Sequence, residues 1–222
     1  MFGQTWHLTN VLPVIPGFAS IYRTSVLKNL KIYVPGLAIE DFNLAFQLRK
    51  KKLGIIAHHP SAFATAQDPG NLRDYAKQVR RWNLGFFQTV RLYGIWPSFF
   101  WLSLGIFTLE VFSAAIFFIA LPVLIFFLIL PFFGQIVIPS YLPISAAISN
   151  YYITFWDIVF AVFAIDYLFT LFVAIKDKKP ILLFYGLGFI FLRILDGLIL
   201  LTTTPQAFFT KSRGTWVSPK RN

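Results

Sequence analysis

The residues best suited to chemistry lie in the run Gln78-Val79-Arg80-Arg81-Trp82. Gln78, Arg81 and Trp82 stand at i, i+3 and i+4, so on a helix they share one face. That face offers an amide, a guanidinium and a broad aromatic plane. A guanidinium grips phosphate oxygens in bidentate fashion, and an indole stacks on the apolar face of a sugar ring. Upstream, Glu40-Asp41 supplies carboxylates, and a carboxylate in a cleft can take a proton from a hydroxyl. Together these are parts for moving a sugar from a nucleotide diphosphate to an alcohol. Each has a plainer reading: Asp41 as a carboxylate stabilised by a helix dipole, Trp82 as a membrane-interface anchor. Arg80 reads as structural or lipid-facing.

The elements that must hold these residues follow from periodicity and punctuation. Gly17 to Val26 reads as a short strand or loop entering a helix. Asp41 to Lys52 reads as a helix, with Lys50-Lys51-Lys52 at its C-terminal end as a solvated or headgroup-facing run, and Gly54 as its stop. Ile55-Ile56-Ala57 reads as a short buried strand that ends near His58-His59. Asp68-Pro69-Gly70-Asn71 is a turn, and Asn71 is a good N-cap for a helix from Leu72 to about Leu92.

After Gly94 the composition changes. Hydrophobic residues make up 57% of the chain and charged residues only 13%, a surplus of apolar surface that lipid or a partner must cover. We expect an interfacial helix over Trp96–Phe107, with Trp96 and Trp101 at headgroup level. Spans are expected over Glu110–Phe133, Tyr151–Ile175 and Ile181–Thr204. Gly186 and Gly188 suit close helix packing. Arg193 and Asp196, at i and i+3, are expected to neutralise each other; Asp166 suits a channel wall or an interhelical hydrogen bond.

Net charge is +11, of which +8 falls in residues 1–94, where twelve basic residues stand against four acidic ones. Basic segments beside spans favour the cytoplasmic side of a cell membrane and its anionic lipids. By that rule residues 1–94 and Lys176–Lys179 lie inside and the uncharged loop Gly134–Asn150 outside. Three spans then place the tail outside, whereas its Lys211, Arg213, Lys220 and Arg221 place it inside; the two rules disagree. The charge has no nucleic-acid-binding pattern beside it, so nucleic acid is not an expected partner. With no cysteine, disulfides and Cys-based metal sites are excluded, and His7, His58 and His59 lack zinc-site spacing.

The ordered set Gly17-Phe18-Ala19-Ser20-Ile21-Tyr22-Arg23 through Leu27, then Ile39-Glu40-Asp41, then Gln78 to Trp82, resembles the second half of a processive family-2 glycosyltransferase. Relatives are the cellulose, chitin, hyaluronan and poly-N-acetylglucosamine synthases. The resemblance implies an α/β, GT-A-like C-terminal half over residues 1–94. An interfacial helix and about three transmembrane helices would follow over 95–208, then a basic tail over 209–222. It implies Asp41 as general base, with Glu40, Gln78, Arg81 and Trp82 at the acceptor and diphosphate, and Gly17, Phe18 and Ala19 as an acceptor loop. Trp216 and Arg221, in Arg213-Gly214-Thr215-Trp216 and Lys220-Arg221, resemble tail residues that approach the site in those synthases. The implied partners are a nucleotide sugar, UDP-linked, a glycan or lipid-linked acceptor, and membrane lipids. A divalent cation, Mg or Mn, would sit on the diphosphate.

No Asp-x-Asp occurs in the sequence. The metal and uridine carboxylates are therefore expected on a separate nucleotide-binding half or partner subunit, without which this chain is expected to be inactive. Two alternatives stand beside a processive synthase: transfer of a single sugar to a lipid or lipid-linked acceptor, and a non-catalytic membrane transport or scaffold subunit.

Overall fold

A computed structural model describes residue 17, residues 20–57, 68–129 and 144–212. The order of elements is α1 (Thr24–Leu27), α2 (Glu40–Lys50), α3 (Leu72–Tyr93), α4 (Phe99–Ile129), α5 (Ile144–Lys176), α6 (Ile181–Gly186) and α7 (Phe189–Phe209). Described residues up to Ile116 and from Leu195 onward form one compact unit, and those of Phe117–Ile194 another.

In the first unit, α2 forms where expected. Glu40 and Asp41 occupy its first turn and Arg49 and Lys50 its last, so both ends complement the helix dipole. Six consecutive residues, Asn43 to Leu48, are buried, so the helix is enclosed on all sides. The two polar residues among them are satisfied locally. Gln47 donates to the Lys31 carbonyl at 2.8 Å and accepts from the Lys31 amide at 2.9 Å, and Asn43 donates to the same carbonyl at 2.7 Å. The loop before Glu40 is thereby tied to α2. Phe46, fully buried, makes edge-on contacts with Phe86, Trp96, Phe100 and Trp101. Burying such a ring stabilises by about 1.5–3 kcal/mol, and it joins α2, α3 and the start of α4.

Helix α3 begins at its expected cap: the Asn71 side chain accepts from the Asp74 amide at 2.9 Å. Its Gly85 lies against Ile39; a Cβ there would stand 2.9 Å from Ile39 Cβ. This close approach seats α3 beside the residue that precedes Glu40-Asp41.

Several expectations change. No strand occurs among the described residues, where Gly36 and Ser212 form an isolated antiparallel bridge. The α/β expectation is therefore not met in the described residues, and Ile55–Ala57 is irregular, since a strand needs a neighbouring edge to hydrogen-bond. Helix α2 ends at Lys50, with Lys52 itself at φ 54°, two residues before Gly54. The lysine run is exposed, as expected, and two of its members are also tethered: Lys50 donates to the Tyr93 carbonyl and Lys51 to the Asn29 carbonyl, each at 2.7 Å. Trp96 and Trp101 join the Phe46 cluster, and the Trp101 indole nitrogen is buried. The separate interfacial helix over Trp96–Phe107 is absent: α4 runs unbroken from Phe99 to Ile129, because nothing in that apolar sequence breaks it until Pro122, which it absorbs.

In the second unit, α5 starts at Ile144, inside the expected loop 134–150; residues 130–143 lie outside the described set. The expected span Ile181–Thr204 is interrupted by a turn at Leu187-Gly188, which separates α6 from α7. Gly186 allows contact with α5, since a Cβ there would meet Thr170 Cγ2 at 2.7 Å. Arg193 pairs with Asp166 at 3.1 Å and not with Asp196. The interhelical partner neutralises it in apolar surroundings, where an unpaired charge is costly. Among the described residues three helices, Phe99–Phe126, Val159–Lys176 and Phe189–Phe209, are long and apolar enough to cross a membrane.

Candidate active site

Asp41 sits in the first turn of α2, half-buried. One carboxylate oxygen accepts from the Gly17 amide at 3.2 Å, and a Cβ on Gly17 would lie 2.7 Å from the other. Only a glycine lets the chain come this near. Burial and the neighbouring Glu40 carboxylate push the Asp41 carboxyl above its ordinary range, while the Gly17 amide and the Arg81 guanidinium oppose them. An Asp with a raised proton affinity is a better base than an exposed one and is still ionised once the pH exceeds it.

Arg81 reaches the same place from α3. Burial lowers its proton affinity, and Glu40 and Asp41 partly restore it. Tyr22 is a member the sequence reading did not single out. Burial raises its phenol, a hydrogen bond with Ser20 opposes this, and the Asp41 and Glu40 charges add to the rise. The signal for it was present, an aromatic hydroxyl within the run Gly17–Arg23. The structure thus brings together Gly17, Tyr22, Glu40, Asp41 and Arg81, from three segments far apart in sequence.

Gln78 and Trp82 lie on α3 within a turn of Arg81, as the spacing requires; Gln78 is partly buried and Trp82 exposed. Arg80 points elsewhere and donates to the Gln206 side chain at 2.9 Å, a structural role. Phe18, Ala19, His58, His59, Trp216 and Arg221 lie outside the described residues.

One more residue lies behind the site. Gln88 is fully buried; it accepts from the Ala38 amide at 2.9 Å and donates to the Thr210 carbonyl at 3.2 Å. It so links the turn before Glu40 to the end of α7. A lone glutamine on an amphipathic helix gives no sign of this in sequence.

Among the described residues no three His, Asp or Glu side chains cluster to hold a metal ion, and the sequence holds no Asp-x-Asp. The residues at Asp41 do not fit a cation: one amide, one guanidinium and one phenol surround the two carboxylates, and a guanidinium beside them already supplies the positive charge.

A half-buried carboxylate coupled electrostatically to a guanidinium stands on helices that belong with long apolar ones. A family model described as glycosyl transferase family group 2 matches residues 3–191. The match covers most of the chain, which therefore belongs to this family of glycosyltransferases. No curated protein and no solved structure matches it. The family and the three apolar helices fit a membrane glycosyltransferase, and a domain of this family implies a nucleotide-sugar donor and a glycan acceptor.

Proposed function

We propose that these residues form the acceptor and leaving-group side of an inverting, processive polysaccharide synthase. The observation that carries this reading is the electrostatic coupling of Asp41 and Arg81 across α2 and α3, with the Asp41 carboxylate held by the Gly17 amide. Asp41 takes the proton from an acceptor hydroxyl as that oxygen attacks the anomeric carbon. The bond from that carbon to the diphosphate oxygen breaks on the opposite face, and the nucleoside diphosphate departs with the electron pair. Arg81 offsets the charge growing on the diphosphate. Gln78 and Trp82 hold the acceptor sugar by hydrogen bonding and stacking, and Tyr22 orders the carboxylate pair.

On this reading residues 1–94 are the cytoplasmic portion of the transferase, the donor is UDP-linked, and the α/β nucleotide-binding layer is supplied by residues beyond these 222. The divalent cation belongs to that layer, and no step here runs through it.

The test uses membranes from cells expressing the chain with a nucleotide-binding half, supplied with labelled UDP-sugars. Long products are expected; single additions would replace the processive reading with transfer to a lipid-linked acceptor. Asp41→Asn should lower turnover by about 100-fold or more, the usual contribution of a general base. Full activity in that variant would remove Asp41 from the mechanism.

A further inference from the structure

Directly before α2 the chain folds around a small recess. Its walls include Tyr33, Val34, Leu37, Ile39, Glu40 and Asn43, and it offers about 320 Å³ of open space. We infer that this recess is an acceptor subsite, which holds the sugar unit of the glycan next to the one that reacts. The Tyr33 ring is its stacking platform and the Glu40 carboxylate accepts from the sugar's hydroxyls. The subsite rests on the reading of these residues as a glycan-extending site, and it adds where the rest of the acceptor lies.

The walls select the ligand. Among the described residues no Lys or Arg lines the recess, so it lacks the cations that hold a diphosphate. Its volume is at the small end of the range for ligand pockets, about 300–1,000 Å³, which suits one ring and not a whole nucleotide sugar. Apolar side chains beside a carboxylate match a sugar, whose ring has an apolar C–H face and a rim of hydroxyls. Glu40 belongs to both places: it lines the recess, and its charge acts on Asp41 and Arg81. A sugar in the recess therefore adjoins the reacting hydroxyl. Tyr33 is 72% exposed, so its ring is left uncovered by the fold and open to a ligand.

The loop that carries Tyr33 is fixed in place by three buried amide side chains. Gln47 holds the Lys31 amide and carbonyl, Asn43 the Lys31 and Ile32 carbonyls, and Gln88 the Ala38 amide. Tyr93 in turn donates to Asn43, and the Ser212 amide donates to the Gly36 carbonyl at 3.0 Å. Buried amides cost free energy unless they are hydrogen-bonded, and here their partners are the backbone of one surface loop. Loops are ordinarily more mobile than the elements they join. A side chain presented on a backbone held this firmly loses less entropy when a ligand arrives.

The test measures initial rates in membranes that hold the chain with a nucleotide-binding half. They receive labelled UDP-sugar and, as acceptor, size-fractionated unlabelled oligomer made by the parent membranes. Tyr33→Ala should raise KM for the oligomer by roughly threefold to tenfold, the worth of one aromatic stack, and leave KM for the UDP-sugar in place. Its melting temperature should match the parent's, because the ring is exposed; a bracing role would lower it. Tyr33→Phe keeps the ring and should restore the parent KM. Val34→Trp, which fills the recess and keeps Tyr33, should raise KM for the oligomer as well. An unchanged KM for the oligomer in both Tyr33→Ala and Val34→Trp, or a rise in KM for both substrates together, overturns the subsite. A parent rate that ignores added oligomer would instead sink the processive reading on which the subsite rests.

Discussion

At the scale of single residues, the proposed chemistry rests on Asp41 holding its proton more tightly than an exposed carboxyl does. Burial and Glu40 raise its proton affinity and Arg81 lowers it. Removing the guanidinium should raise it further. In Arg81→Gln the acid limb of kcat/KM should therefore move to higher pH, which a pH–rate profile in membranes would show; an unmoved limb would mean that the two groups are not coupled in the working enzyme. The sign for stability follows from linkage. The native chain binds this proton more tightly than the unfolded chain, so stability falls as pH rises from the ordinary carboxylate value through the raised one. Asp41→Asn removes that penalty and should melt no lower than the parent at neutral pH. Below the ordinary carboxylate value both should melt alike. Asp41 and Arg81 were legible in sequence because type and helical spacing mark them. Gly17 as the contact of Asp41, and Tyr22 beside it, were not, since contacts between residues so far apart in sequence leave no local pattern.

At the scale of elements, the site depends on how closely α3 approaches the turn before α2. Gly85 sets that distance. Gly85→Ala places a methyl 2.9 Å from Ile39 Cβ and Cγ1, which forces α3 away. An overpacked contact of this kind costs about 1–3 kcal/mol, and because Ile39 adjoins Glu40 the same change should reduce turnover. Gly105 on α4 is the control: a methyl there meets nothing within 4 Å, and Gly105→Ala should be neutral or stabilise by up to about 1 kcal/mol through helix propensity. Thermal melts of the two variants in the same detergent make the comparison; equal melts would show that α3 can withdraw from Ile39 without cost. The helices themselves were well signalled. Asn71 caps α3 as its type and position foretold, and α2 forms where expected, although it is enclosed on all sides. The strand over Ile55–Ala57 was misread because three apolar residues fit an irregular segment as well as a sheet; only Ile56 of the three is buried. The break at Leu187-Gly188 was missed because a continuous apolar run hides a turn.

At the scale of the whole chain, the end of α7 and the residues after it act on the site in two separable ways. Thr210 and Ser212 brace the turn before Glu40: the Thr210 carbonyl accepts from buried Gln88, whose other end holds the Ala38 amide, and the Ser212 amide holds Gly36. Trp216 and Arg221, on the resemblance to synthase tails, would instead touch substrate. Two truncations distinguish these roles. Ending the chain after Arg213 removes Trp216 and Arg221 but keeps both bracing contacts, so it should lower turnover and leave the melting temperature unchanged. Ending it after Phe209 also removes the braces. Each lost hydrogen bond to a buried partner costs about 1–3 kcal/mol, which at this chain length lowers the melting temperature by roughly 2–4 °C per kcal/mol. Gln88→Ala should reproduce much of that destabilisation in the full-length chain and add little to the shorter one, because both changes break the same link. Additive losses would mean that Gln88 supports Ala38 independently of α7. In that case α7 would have no mechanical hold on Asp41.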